Sequence, residues 1–598
     1  MYLAKQKTEL FDGSIEPLFG GVFGIYGHGN VAGIGEALWK YRQELPYFRG
    51  QNEQGMAHTA IAYAKAHRGR RVMGVTTSIG PGATNMVTAA ALAHVNRLPV
   101  LFLPGDIFTT RRPDPVLQQL ENPHSPLTSV NDCFIPVSQF FDRITHPEQL
   151  LQSLPQAVQT LMHPTTRGPV TLSLPQDTQT EAYEFPLEFF REQVHYISRP
   201  QPDSREVERA AAVLKQSRRP LIIAGGGVHY SGAEEALREF AESRGIPVAE
   251  TQAGKGSLSS EHRLSLGGIG VTGTAAANAI AREADCILAI GTRLGDFTTA
   301  SKSLFHREEV PIIALNTSPM DTAKVSGRKI IGDALAGLKT LDGALGDWAA
   351  IETHESTVAQ AKADWNAMRA EIMAPQNSLP TDAQVLGAVE KCVGEKDVIV
   401  CAAGGMPGEL HKLWNVRDPL AYHLEYGYSC MGYEIAGGLG VKMALPEREV
   451  YVVVGDGSYL MLHTELLTAR QLGYKINVIL LDNHGFGCIN RLQKACGSSP
   501  YGNIMGREPQ VDFAANAKSY GCHAKKVNNL EELQQTLREN RTVNLPCVTV
   551  IETDPEQGSP GTAWWDVAIP EQSNEPGVRK AFKEYQTQKQ TIYPRSPR

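Results

Sequence analysis

The chain has 598 residues, 42% hydrophobic and 20% charged, with a formal net charge of −7. That length exceeds what one hydrophobic core organises, and the acidic balance excludes a nucleic-acid scaffold, which needs a basic surface. Its nine cysteines are scattered and form no Cys-x-x-Cys pair, which argues against a disulfide framework or zinc site and suits a reducing cytoplasm. The segment Met1 to Leu10 has no apolar core of signal-peptide length. Other apolar runs are strand-length, so no membrane span is expected.

From Phe19 to Leu174 short apolar strands alternate with amphipathic helices, the mark of a parallel sheet with helical crossovers. Val22 to Tyr26 reads as a strand running into Gly27-His28-Gly29-Asn30, with a helix from Gly33 to Leu45. Glu53 opens an alanine-rich helix. Val72 to Thr76 leads into the turn Ser78 to Asn85, and Pro99 to Pro104 and Pro169 to Pro175 are strands bounded by prolines. Arg199 to Asp203 reads as a linker. A second block has strands at Leu221–Ala224, Pro247–Ala249, Cys286–Ile290 and Pro311–Leu315. A polar helical region, Ile351 to Met373, precedes a third block with strands at Val398–Cys401 and Pro546–Ile551. The first and third blocks share one rhythm of strands and glycine turns, so two similar sheets should flank a different middle one. The expected class is α/β, with three doubly wound parallel-sheet domains over residues 1–198, 204–345 and 380–555. The tail, 556–598, is rich in proline, lysine and glutamine and is left without assigned structure. Only Trp564-Trp565 within it demand burial.

The third block holds the most informative stretch. Val452–Val454 and Val478–Leu481 read as buried parallel strands. Leu460 to Leu472 reads as the helix between them, stopped by Gly473. Such a crossover puts its turn at the carboxyl end of the sheet, where α/β proteins bind ligands. Asp456 and Asn483 leave the two strand ends as oxygen ligands. Gly455 and Gly457 let a phosphate approach the backbone, and the next helix aims its first amides there. A hard cation such as Mg²⁺ takes oxygen ligands and bridges phosphates.

Gly-Asp-Gly-Ser458 paired with Asp482-Asn483 across one βαβ unit resembles the signature of thiamine-diphosphate-dependent enzymes. The resemblance implies that Mg²⁺ is held by Asp456, Asn483 and the carbonyl of Gly485, with Gly455, Gly457 and Ser458 around the diphosphate. Asp482 stands where the family usually has a first asparagine. Glu53 is implied to be the buried glutamate at N1′ of the cofactor's pyrimidine, Met431 the wedge between its two rings, and the Ser429 carbonyl an acceptor from its amino group. Ala402 to Met406 matches a further diphosphate loop. Ser78–Asn85, Gly254–Ser257 and Gly291–Leu294 resemble the acetolactate-synthase-like branch, some members of which carry FAD on the middle domain. Gly225-Gly226-Gly227 lacks full Gly-x-Gly-x-x-Gly spacing, so FAD is the less favoured expectation.

On the substrate side, the loop Gly27 to Gly33 puts His28, Gly29 and Asn30 towards the cofactor, and His484 follows the metal ligand. With Arg112–Leu120, Ser129–Phe134, Asp482–Asn490 and Trp564–Val567, this loop resembles a subgroup that hydrolyses a cyclic polyol 1,2-diketone in inositol breakdown. The similarity runs from Phe23 to about Val567. It implies cleavage between the two carbonyls, with Glu53 activating the cofactor and either His28 or His484 handling protons. A carboligase acting on 2-keto acids is the alternative. A homodimer or homotetramer is implied, with active sites between subunits and no nucleic-acid or membrane partner.

Overall fold

The computed structural model describes residues 1–592 apart from 306–309, 326, 377–378 and 505–509. Three six-stranded sheets form the body of the chain, and every neighbouring pair of strands within them is parallel. The first runs Tyr47–Arg49, Phe19–Gly24, Val72–Thr77, Leu101–Asp106, Val170–Pro175, Phe140–Arg143. The third runs Tyr422–Leu424, Val398–Cys401, Val450–Gly455, Asn477–Asp482, Cys547–Glu552, His523–Val527. Counting each sheet's own strands along the chain, both have the order 2-1-3-4-6-5, whereas the middle sheet has 3-2-1-4-5-6. The common rhythm of the outer blocks is therefore a common topology. In each sheet the order reverses beside the first strand, and that switch point is where open α/β sheets bind ligands.

The central strands read as continuous apolar runs because helices cover both faces. Val72–Thr77 and Asn477–Asp482 are buried at every position, and each Val or Ile there contributes roughly 1.5–3 kcal/mol of burial. The outer sheets share one hydrophobic core. Its seam is the packing of helix Glu53–Ala66 against helix Tyr433–Ala444, where Thr59 Oγ1 donates to the Ala436 carbonyl at 3.1 Å. The middle sheet is tied to the third by Lys255, whose Nζ donates to the His411 carbonyl at 3.0 Å, and by Gln252, which donates to the Pro407 carbonyl at 2.8 Å. The Gly254–Ser257 motif thus clamps two domains.

Three expectations change. The helix after the Gly-Asp-Gly turn begins at Asp456 itself, with Gly455 as N-cap, and breaks after Met461 before a second helix, Glu465–Leu472. Gly473 still ends it, in the left-handed conformation (φ 76°). The helix after the His28 loop is Gly33–Lys40, shorter than expected. The tail is also ordered. Thr562 Oγ1 donates to the Gly273 carbonyl at 2.7 Å, and Trp565 Nε1 donates to Asp296 at 3.0 Å while its ring packs 5.0 Å from Phe297. A helix, Pro576–Ile592, then returns Tyr585 to Asp566. Its composition reads as disordered, yet Val578, Phe582 and Tyr585 share one helical face. Residues 593–598 lie outside the described residues. Among those described, no helix is long and apolar enough to cross a membrane.

Candidate active site

Asp456 leaves the Val450–Gly455 strand, which borders the switch point of the third sheet, and Asp482 ends the next strand on its other side. Asp456 is 1% exposed. The inward atom of the Asn483 amide lies 3.2 Å from Asp456 Oδ1 and 2.9 Å from the Gly485 carbonyl oxygen. Both neighbours are acceptors. With the amide nitrogen inward the group closes on itself through hydrogen bonds. With the oxygen inward, three oxygens face one another and call for a cation. One carboxylate, one amide oxygen and one carbonyl are the hard donors that Mg²⁺ takes, so these residues fit the ion. Among the described residues no group of three His, Cys, Asp or Glu is placed for a metal, which sets this site apart from a zinc centre. Burial, with Asp482 beside it, pushes the Asp456 carboxyl up to about 6. A divalent cation at these oxygens would draw it back down.

The loop that follows is bent for this purpose. His484 has φ 62°, a left-handed backbone that is uncommon outside glycine. Its Nε2 meets Glu552 Oε1 at 2.9 Å and its Nδ1 lies 3.5 Å from Asp482 Oδ1. The imidazole expected on the substrate side is therefore held between two carboxylates at the carboxyl end of the sheet. Gly457 lets the bend approach, because a Cβ there would stand 2.6 Å from the Phe486 ring and 3.2 Å from the Gly485 oxygen.

Met431 is half-buried and Ser429 exposed, just before Gly432, the N-cap of helix Tyr433–Ala444. The Gly432 N–H donates to Ser458 Oγ at 2.8 Å, so the expected wedge loop and diphosphate turn are in direct contact. Glu434, 1% exposed, accepts from Ala403 N, from Gly432 N and from Ser458 Oγ. Burial pushes its carboxyl up, while the Ser458 hydroxyl and nearby backbone N–H groups pull it back.

On the first sheet, Asn52 caps helix Glu53–Ala66 by accepting from the Gln54 and Gly55 N–H groups. Asn85 Nδ2 donates to Glu53 Oε2 at 2.8 Å, and Glu53 is half-buried. Glu465, fully buried in the third domain, accepts from Gln51 N at 3.3 Å and Asn52 N at 3.0 Å. It thereby ties the start of the Glu53 helix to the opposite domain, and burial pushes its own carboxyl up. Glu434 and Glu465 were missed from sequence, although an acid inside the small, apolar run Tyr433-Glu434-Ile435-Ala436-Gly437 is a readable signal.

His28 sits at the switch point of the first sheet, exposed on a braced loop. Gln179 Nε2 donates to the Gly29 carbonyl at 2.8 Å, and Gly29 N donates to Ser78 Oγ at 3.3 Å. Asn30, expected to face the substrate, turns inward instead. It accepts from Gly27 N at 2.9 Å and donates to the Ile25 carbonyl and Thr76 Oγ1, so both amide atoms are taken up by the loop. Asp456, Asn483, Gly485, Ser458 and Met431 thus gather on one sheet, and Glu53 and His28 on the other. Within one chain no hydrogen bond joins Glu53 to the Asp456 group among the described residues.

A cavity of about 900 Å³ opens at the carboxyl edge of the middle sheet, bounded by Gly227, Arg293 and Asn316 and covered by Tyr426 and Trp565. Gly227 there is accounted for by close packing, since its Cβ would stand 2.5 Å from Gly291 Cα. The glycine triple therefore does not by itself call for a dinucleotide.

Residues 20–125 match the N-terminal TPP binding domain of thiamine pyrophosphate enzymes, 207–341 their central domain and 402–552 their C-terminal TPP binding domain. A Geobacillus thermodenitrificans protein named 3D-(3,5/4)-trihydroxycyclohexane-1,2-dione hydrolase is 44% identical, the alignment covering 98% of this chain and 96% of the relative. Proteins of the same name from Clostridium perfringens (44%, covering 96% and 95%) and Bacillus cereus AH820 (42%, covering 97% and 96%) are similarly alike. With all three domains matched in order and relatives alike along almost the whole length, the chain belongs to the thiamine pyrophosphate enzyme family.

Proposed function

We propose that this protein is a thiamine-diphosphate- and Mg²⁺-dependent hydrolase of 3D-(3,5/4)-trihydroxycyclohexane-1,2-dione, producing 5-deoxy-D-glucuronate in inositol breakdown. The observation that carries the reading is the meeting of the Asp456 carboxylate, the Asn483 amide and the Gly485 carbonyl at the carboxyl ends of two adjacent parallel strands, in a chain alike end to end to hydrolases of that name. Asp456, Asn483 and the Gly485 carbonyl would hold Mg²⁺, with the Gly455–Ser458 turn against the diphosphate. Bound there, thiamine diphosphate supplies a carbon nucleophile that adds to a ketone and holds the electron pair of the bond that breaks.

The chain's own residues do the rest. Glu53 shares a proton with the pyrimidine N1′ and so activates the cofactor. Met431 would fill the gap between the rings, for which an unbranched thioether is suited. The Ser429 carbonyl would accept from the pyrimidine amino group. His28, on its braced loop, takes a proton from the water that adds to the second carbonyl and returns one to the carbon released as aldehyde. One water enters, one C–C bond breaks, and the hydrated carbon leaves as carboxylate, so no oxidant is needed.

The working unit in this reading is a homodimer or homotetramer, in which Glu53 of one chain serves the cofactor held by another. Exposed Leu117 (72%) and Leu120 (63%) on the first domain, and Met461 (53%) just past the Asp456 turn, support burial against a second copy. Nine free thiols support a cytoplasmic setting. The test is product analysis with the cyclic dione and with pyruvate offered separately. Ring-opened acid from the dione alone is expected; acetolactate from pyruvate, with no acid from the dione, would replace the reading with a carboligase.

A further inference from the structure

Three segments bear on thiamine diphosphate in this reading: the Gly455–Ser458 turn, the loop carrying Ser429 and Met431, and the Ala402–Met406 loop, which resembles a further diphosphate contact. One buried carboxylate joins them. Glu434 Oε1 accepts from Ala403 N at 3.1 Å, and Oε2 accepts from Gly432 N at 3.1 Å and from Ser458 Oγ at 2.7 Å. A glutamate in the first turn of a helix is ordinarily a solvated group facing the macrodipole. This one is 1% exposed, and burying a carboxylate costs several kcal/mol unless donors satisfy it. Two backbone N–H groups and a hydroxyl do so here, each bond strengthened by the charge.

The donors come from different parts of the sheet. Ala403 follows the Val398–Cys401 strand, Gly432 caps the Tyr433–Ala444 helix, and Ser458 lies in the helix after Val450–Gly455. Two of these segments face the diphosphate and one carries Met431. We propose that Glu434 is a positioning residue that sets the span between the ring-contacting loop and the diphosphate-contacting turns, so that one cofactor molecule meets both at once. This inference rests on the functional reading above and adds a residue to it.

The substitution Glu434→Gln separates the links. The glutamine side chain can still accept from Ala403 N with its oxygen, but its NH₂ then faces the Gly432 N–H, donor against donor. The Ser458 hydroxyl must also turn round. The pocket for a phosphate group alone should survive, while its spacing from Met431 is lost.

The experiment uses the full-length protein with Mg²⁺ and two probes, thiamine diphosphate and inorganic pyrophosphate, each titrated to equilibrium, with the melting curve of the apoprotein as a folding control. Glu434→Gln is expected to weaken thiamine diphosphate about tenfold or more, the range for residues that orient ligands, and to leave pyrophosphate within about threefold. Glu434→Asp, whose shorter side chain keeps the charge but cannot reach all three donors, should show the same selectivity, and Ser458→Ala should cost less when added to Glu434→Gln than it does alone, because the two residues share one contact. Equal loss for both probes, or none for either, would overturn the proposal. If Glu434→Gln does not fold, Glu434→Asp decides, and a loss common to both probes there would also overturn it. Wild-type protein that fails to bind thiamine diphosphate would instead strike the functional reading itself.

Discussion

Replacing Asp456 by asparagine keeps the shape of the candidate metal site and removes its charge. The carboxylate is 1% exposed and its Oδ1 lies 3.2 Å from the Asn483 amide, facing the Gly485 carbonyl across the same small space. Removing one partner from a buried ionic contact costs roughly 3–5 kcal/mol. At 1.4 kcal/mol per decade this is roughly two to four decades in affinity for the metal–diphosphate pair. The apoprotein should respond in the opposite sense. Asp482 is buried beside Asp456 and raises its pKa, so one carboxylate fewer relieves repulsion, and the melting temperature should be unchanged or higher. Titrating thiamine diphosphate at fixed Mg²⁺, then Mg²⁺ at fixed thiamine diphosphate, by intrinsic fluorescence measures the first effect; circular dichroism melting measures the second. Affinity within threefold of wild type would refute the assignment of Asp456. An apoprotein melting well below wild type would show that the carboxylate serves the fold instead.

Glu53→Gln should lower turnover by about 10²–10⁴, the usual share of a general acid–base group, while thiamine diphosphate still binds within about tenfold. Single-turnover kinetics beside an equilibrium titration would reveal a binding defect if that is the true cause. His28→Ala should slow hydrolysis of the dione with cofactor affinity held, because its loop is braced by Asn30, Ser78 and Gln179 rather than by the imidazole; unchanged turnover would remove His28 from the mechanism. Burial holds His58 down to about 3 from 6.5, so the unfolded chain takes up the proton first as pH falls. Its stabilising contribution is whole above pH 6.5 and diminishes below it, by about 3 kcal/mol at pH 4. His58→Leu should flatten that part of the stability–pH curve in urea titrations, and an unaltered slope would contradict the burial argument.

The parts legible in the sequence are those with a local physical signature. Val452–Val454 and Val478–Leu481 are continuous apolar runs of strand length, and both are strands. Gly457 signals a close approach to the backbone, expected from a phosphate; the approach the structure shows is that of Phe486 and the Gly485 oxygen. The strand orders were not legible, since nothing local tells the Phe19–Gly24 strand which neighbours it will find. Nor was the inward turn of Asn30, whose partners include Thr76, 46 residues away. The apolar run around Glu434 signals that this acid is buried, but not its partners: nothing local to Glu434 or Glu465 shows which distant N–H groups each will receive. The tail misled because its charge and proline content outweighed three apolar residues on one helical face.

The central claim is hydrolysis of a cyclic diketone by thiamine diphosphate held on Asp456 and Asn483. Its most direct test is turnover of 3D-(3,5/4)-trihydroxycyclohexane-1,2-dione by protein stripped of cofactor and metal, assayed alone, with each added back and with both. The account predicts one ring-opened acid per dione consumed when both are present, with only residual conversion otherwise. Acid formed at full rate without thiamine diphosphate, or none with both present, would contradict it.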